Sequence, residues 1–250
     1  MTEGPLWTAA RYQEFGRFVS EEGRLILDWL DPQRGERILD AGCGDGALTV
    51  ELMKRGADVV GIERAPNMVE AAREAGVDVR EMDLLALDER AAYEAIFSNA
   101  VLHWIEEWPA LLGCFYQALR PKGRLVVECG GFGNIAAIRT AIRAVAVRQG
   151  VETKATGERY LTTDEASVLL QEAGFEVKRL ELVPRPTLLE KGLAGWLRVF
   201  REPFLLQFME GPHRDEVIEE VLGLLQPVLQ TPQGVWYADY VRLRFVAVKN

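Results

Sequence analysis

The sequence predicts an α/β fold: an open, mostly parallel sheet wound on both faces by helices. Two observations carry this. Apolar runs of strand length alternate with stretches of helical periodicity along the chain. The first run, Arg37-Ile38-Leu39, passes through Asp40 into Ala41-Gly42-Cys43-Gly44-Asp45-Gly46, and a helix opens near Ala47. Strand, glycine turn and helix form the nucleoside- or phosphate-binding geometry of open α/β sheets. Glycine reaches positive φ and lets a ligand approach bare backbone, while the helix start offers unpaired N–H groups.

The glycine spacing narrows the ligand. Gly42, Gly44 and Gly46 are each separated by one residue, whereas a dinucleotide fingerprint needs a two-residue gap before its last glycine. Asp45 would sit badly beside a pyrophosphate. Asp40 can accept from an amine or a hydroxyl. A ligand with a cationic or neutral moiety at the turn fits better than a diphosphate. A nicotinamide oxidoreductase is disfavoured on the same ground.

The other elements follow in order. Trp7 to Leu30 has helical spacing, with Tyr12, Phe15, Phe18 and Val19 on one stripe. Asp31-Pro32 ends it. A helix runs from Leu48 to Arg55 and stops at Gly56. Ala57 to Ile62 is an apolar strand ending in Glu63, about twenty residues past the glycine turn, where a carboxylate reaches a ribose. A helix from Asn67 to Glu74 places Met68 to pack on a base or simply to fill the core. Val77 to Met82 is a strand with Asp83 at its end, and Tyr93 to Ser98 is another, running into Asn99-Ala100-Val101-Leu102-His103-Trp104. Asn99 can hold the polar end of a ligand at the switch point, and His103 and Trp104 fall just beyond it.

Pro109 to Leu119 is an amphipathic helix, Arg120-Pro121-Lys122-Gly123 a tight turn, Leu125 to Cys129 a strand, and Ile135 to Val147 a long apolar helix. A polar stretch, Gly150 to Arg159, reads as a loop or hinge. Thr162 or Thr163 caps a helix over Asp164 to Ala173. Phe175 to Val183 alternates as a strand that Pro184 and Pro186 are expected to break. Leu188 to Phe208 is an aromatic, apolar helical stretch. In it Arg198 and Arg201 lie three apart, either clamping a substrate carboxylate or forming a solvated face. Asp215 to Leu225 is a further helix, and Tyr240 to Lys249 a strongly alternating last strand.

Composition sets outer bounds. The chain has 250 residues, 48% hydrophobic and 27% charged, enough for a substantial single core. A net charge of −9 argues against a nucleic-acid binder or an anionic-membrane binder, without excluding a local basic pocket. The three cysteines, Cys43, Cys114 and Cys129, show no metal-ligand spacing. No basic, apolar leader and no membrane-length run is visible, so a reducing cytoplasm is expected.

Asp40-Ala41-Gly42-Cys43-Gly44, with Glu63, Asp83 and the Pro121-Lys122-Gly123 turn, resembles the class I S-adenosylmethionine-dependent methyltransferases. Ser98-Asn99-Ala100 with Leu102-His103-Trp104 resembles the trans-aconitate methyltransferase branch. The resemblance implies a Rossmann-like, seven-stranded sheet with its last strand antiparallel. It implies a helical lid over residues 1–34, a cofactor domain over 35–183 and 235–250, and a helical insertion, 184–234, over the substrate pocket. S-adenosylmethionine would be the cofactor and S-adenosylhomocysteine the product. Tyr12 and Phe18 would cover it, Asp40, Gly42 and Gly44 would grip it at the turn, and Asn99 would hold its amino-acid part. Glu63 would take the ribose, and Asp83 and the N–H of Leu84 the adenine, with Met68 and Arg64 against its faces. The acceptor would be a small molecule near His103 and Trp104. A carboxylate acceptor would need no base; a hydroxyl, amine or thiol could use His103 as catalytic base. The competing reading is a catalytically silent cofactor-binding module that acts through a protein partner.

Overall fold

The computed structural model describes residues 17–151, 158–201 and 212–250. Seven strands are present: β1 (Arg37–Ala41), β2 (Asp58–Glu63), β3 (Asp78–Glu81), β4 (Tyr93–Asn99), β5 (Leu119–Gly130), β6 (Phe175–Leu188) and β7 (Tyr237–Lys249). They form one sheet of order β3-β2-β1-β4-β5-β7-β6. The first five are parallel to one another, and β7 runs antiparallel to both β5 and β6. This is the expected seven-stranded, Rossmann-like topology. The strand order reverses between β1 and β4, so a crevice opens at their carboxyl ends.

Among the described residues the helices are α1 (Arg17–Leu30), α2 (Ala47–Lys54), α3 (Pro66–Glu74), α4 (Trp108–Ala118), α5 (Ala136–Arg148), α6 (Thr163–Glu172), α7 (Gly192–Phe200) and α8 (Pro212–Leu229). Thr162, not Thr163, caps α6: its hydroxyl accepts from Glu165 N while Glu165 accepts from Thr162 N. Tyr12 lies outside the described residues. So does the side chain of Phe18, whose backbone belongs to the first turn of α1.

Both faces of the sheet are covered, which is why β1 is apolar at consecutive positions. Ile38 faces α1 and α2, packing with Ile26, Leu27 and Leu52. Leu39 faces the other layer, with Trp108, Leu111 and Phe115 of α4 and Leu170 of α6. A separate cluster joins α5, α7 and α8 through Ile138, Leu193, Trp196 and Val221, and seats them on Tyr240 of β7. Each such fully buried Leu or Ile stabilises the fold by about 1.5–3 kcal/mol relative to exposure.

One element differs from expectation. Pro184 and Pro186 do not break β6, which continues to Leu188 with these prolines in register with Val241 and Asp239. The reason is position: β6 is an edge strand, where a missing N–H on the outer side costs no ladder bond.

Candidate active site

An open cleft of about 350 Å³ lies at the crevice, lined by Asp40, Gly42, Gly44, Asp45, Leu48 and Asn99 among others. Its floor is backbone. Gly42 N and Cys43 N both donate to Ile62 O, at 2.8 and 3.0 Å, and pin the glycine turn to the end of β2. Ser98 Oγ donates to Ala41 O at 2.7 Å and ties β4 to β1.

The first two glycines of the turn serve different ends. Gly42 has φ +80°, and a Cβ there would lie 2.3 Å from Val101 Cγ2. Gly44 has φ +57°, and a Cβ would meet nothing within 4 Å. Gly42 is therefore glycine because of the packed protein. Gly44 faces space that a ligand can fill.

Asp40 is almost fully buried, at 2% exposure. Its carboxylate accepts from Thr49 Oγ1 at 2.6 Å. Burial outweighs that bond, with help from the charge of Glu63, and raises Asp40 to about 7. Thr49 was not singled out in the sequence; its signal was a hydroxyl one turn into the helix, on the face turned back toward the strand. Burial also pushes the Cys43 thiol well up, so it is not a thiolate nucleophile.

Glu63 ends β2 as expected and is wired to the turn. Oε2 accepts from Gly44 N at 3.1 Å, and Oε1 accepts from Arg64 N and Ala65 N, both at 2.8 Å. An ionised carboxylate offers about four lone-pair sites, so it can still accept from hydroxyls. Asp83 Oδ1 accepts from Leu85 N at 2.9 Å, capping a short turn over Leu84–Ala86. Arg64 lies 3.6 Å from Asp83 Oδ2 in an exposed pair. Met68 and Leu84 are buried side chains of the sheet layers.

Helix α1 packs closely behind two residues that line the cleft, Leu48 and Asn99. A Cβ on Gly23 would lie 2.8 Å from both Asn99 Nδ2 and Leu48 Cδ1. A glycine inside an otherwise amphipathic helix was the available signal for this close approach.

His103 is in the short turn Leu102–Trp104 after β4 and is buried. Its Nδ1 accepts from Gly130 N at 3.2 Å, so in the neutral ring the proton belongs on Nε2. Burial, then the charges of Arg242 and Arg201, hold it well below the usual histidine range. This arrangement bears on the expected base role: the Nδ1 lone pair accepts from Gly130 N–H, and a second proton would have to sit in a buried, cationic neighbourhood. Trp104, in contrast, is 41% exposed and tilts against His103 at 5.1 Å. Tyr160 stacks on the far side of His103 at 5.7 Å. Burial raises Tyr160 to about 12, and it is hydrogen-bonded to Asn134 and Arg201.

Arg198 and Arg201 do not form a clamp. Arg198 is half exposed and paired with Asp215 at 2.9 Å. Arg201 is buried, paired with Glu158 at 2.7 Å. Each arginine is drawn to a carboxylate of its own, one at the surface and one in the interior, although Arg201 still caps α7 through its N–H to Leu197 O.

A glycine-floored cleft at the switch point, a reversed β7, and carboxylates at the ends of β1, β2 and β3 define a nucleoside-binding α/β enzyme fold. A family model described as Methyltransferase domain matches residues 10–180. An uncharacterised methyltransferase of Schizosaccharomyces pombe, C70.08c, is 34% identical over 98% of both chains. Trans-aconitate 2-methyltransferase of Mycobacterium tuberculosis is 34% identical over 146 residues, 58% of this chain and 56% of that protein. Among solved structures, an S-adenosylmethionine-dependent methyltransferase from Mesorhizobium loti superposes with TM-score 0.55 at 18% identity, covering 90% of this chain and 96% of that one. Phosphoethanolamine N-methyltransferase 2 of Haemonchus contortus, bound to phosphomonomethylethanolamine and S-adenosylhomocysteine, gives 0.60 at 19% identity, over 92% of this chain and 52% of that one. This chain belongs to the methyltransferase domain family and is an S-adenosylmethionine-dependent enzyme of class I fold.

Proposed function

We propose that the chain transfers a methyl group to a small-molecule acceptor that arrives already ionised, a carboxylate being the fitting class. The observation that carries this is the state of His103. Its acceptor nitrogen is held by Gly130 N–H, and the site offers no base there to deprotonate a hydroxyl, amine or thiol. The half-length likeness to trans-aconitate 2-methyltransferase supports the same class.

S-adenosylmethionine, when bound, supplies a methyl on a sulfonium for in-line displacement. The open position at Gly44 and the buried carboxylate of Asp40 fit that ligand. Asp40 would take its ammonium group and Asn99 its amino-acid end. Glu63 would accept the ribose hydroxyls. Asp83 and the N–H of Leu84 would take the adenine edge, with Met68 and Arg64 beside the ring. His103, with Nε2–H, can donate to an acceptor oxygen and orient it. Positioning, not proton transfer, is then the protein's main contribution. Residues 1–34 would act as a lid. The helical insertion, which begins after β6 ends at Leu188, would cover the acceptor side. Among the described residues no helix is long and apolar enough to cross a membrane; a cytoplasmic setting is part of this proposal.

The test is methyl transfer from labelled S-adenosylmethionine across carboxylic acids, amines, thiols and alcohols of similar size. Base-labile methyl esters are the expected product. Turnover confined to amines or thiols would overturn the carboxylate assignment.

A further inference from the structure

The sheet carries a second set of charges, on the face of β7 opposite its leucine-phenylalanine core side. Glu128, 1% exposed, accepts from Arg185 Nη1 at 2.6 Å and from Arg244. Glu158 accepts from Arg201 Nη1 at 2.7 Å. Both buried carboxylates are therefore committed. Arg242 is left over. It is 3% exposed, and no carboxylate pairs with it among the described residues. Its Nε is buried with no hydrogen-bond partner. Its guanidinium carbon lies 4.3 Å from the centre of the Tyr240 ring.

An uncompensated buried cation is expensive, and breaking even one partner away from such a charge costs several kcal/mol. A chain that keeps one there needs something else to complete it. The position says what. Arg242 is in register with Gly130, whose N–H holds His103, and its charge acts on His103, Cys129 and Tyr240. It therefore stands beside His103, in the turn four residues beyond Asn99 of the cleft lining. Guanidinium geometry suits an oxyanion, with two parallel donors.

We infer that Arg242 is the residue that seats an oxyanion group of the methyl acceptor, resting on the methyl-transfer reading above. The acceptor is then an acid, with a carboxylate or a phosphate monoester against Arg242. The anion completes the buried charge and fixes the acceptor's register relative to the cleft.

The experiment uses the full chain and calorimetric titration of two probes, trans-aconitate and phosphoethanolamine. Each is titrated into the protein alone and into its S-adenosylhomocysteine complex. Expected for the unaltered chain is binding of one probe, which names the source as carboxylate or phosphate. Arg242→Gln should weaken that probe at least tenfold while S-adenosylhomocysteine affinity stays within twofold. Arg242→Lys should keep part of the probe affinity. Arg242→Met should melt no lower than the unaltered protein without probe, and the probe should no longer raise its melting temperature. A merely structural arginine would instead melt lower and leave probe binding alone. The inference is overturned if neither probe binds the unaltered chain, or if Arg242→Gln and Arg242→Lys bind the probe as the unaltered chain does. It is also overturned if Arg242→Gln loses S-adenosylhomocysteine instead, which would give Arg242 to the cofactor. Failure of S-adenosylhomocysteine to bind the unaltered chain sinks the methyl-transfer reading; the titrations without it still judge Arg242.

Discussion

The two sides of the crevice are built from opposite materials. The β1–β3 side is backbone and carboxylate: bare glycines, Asp40, Glu63 and Asp83, with side chains bonded to main-chain N–H groups or a neighbouring hydroxyl. The β5–β7–β6 side is side chain on side chain: Arg185, Arg201, Arg242 and Arg244 around Glu128, Glu158, Tyr160 and Tyr240. Backbone cannot change its chemistry with sequence, so it suits a cofactor that is constant across a family. Side-chain clusters can be altered one residue at a time, so they suit an acceptor that differs between relatives. A net charge of −9 over the chain hides this local excess of buried and half-buried guanidinium.

The contrast is sharpest at Glu128. Replacing it with alanine leaves Arg185 and Arg244, whose side chains are only 10% and 12% exposed, without their counter-charge. We expect a loss of about 3–5 kcal/mol in urea denaturation, the range for breaking a buried pair from one side. A loss under about 1 kcal/mol would mean that water already screens this side, and that it is not the charged framework described here.

Glu63→Ala tests the other side. It removes a carboxylate that binds three backbone N–H groups and, on our assignment, two ribose hydroxyls. S-adenosylhomocysteine affinity should fall by about 1–3 kcal/mol, the scale for hydrogen bonds to a charged group. Calorimetry that shows unchanged affinity would confine Glu63 to holding the glycine turn.

The glycines divide that side further. Gly42→Ala drives a Cβ into Val101 at positive φ, and should cost about 1–3 kcal/mol of stability. Gly44→Ala meets no atom and should cost about 1–2 kcal/mol, for the left-handed backbone alone. Its larger effect should be on cofactor affinity. If thermal melts of the two variants match and Gly44→Ala binds S-adenosylhomocysteine normally, the space beside Gly44 is not the ligand's.

The same difference decides what the sequence discloses. Asp40, the glycines and Glu63 fall within a single strand–helix–strand unit, so local spacing announces them. His103, Glu128, Tyr160, Arg201 and Arg242 come together only after β5, β6 and β7 pair, and no short-range pattern links them. Arg242 and Arg244 sat in a strand recognised for its alternation, but alternation does not say that their face is covered. Pro184 and Pro186 misled because an edge strand forgives them. Arg198 and Arg201 misled because their partners, Asp215 and Glu158, are distant in sequence and draw the two side chains to different places. His103 was found by its place after β4, while its role depended on Gly130, which is distant in sequence.

The smallest effect is also the one that reports directly on charge in the cofactor side. Asp40 is raised to about 7 by burial, so in the ligand-free protein the neutral carboxyl is favoured below that pH. Its folded value lies above its unfolded value. The group therefore stabilises the fold fully at pH below about 4 and loses that contribution as pH climbs toward 7. A ligand ammonium reverses the preference, because it needs the ionised form. S-adenosylhomocysteine should thus bind more tightly at pH 8 than at pH 6, by about tenfold, one pKa unit below the midpoint. Thr49→Val removes the hydrogen bond that lowers Asp40, so the midpoint of this affinity change should move up. A pH-independent affinity between 6 and 8, with identical curves for Thr49→Val and the unaltered chain, would show that Asp40 does not meet the cation. The acidic side of the crevice would then contribute only through Glu63 and Asp83.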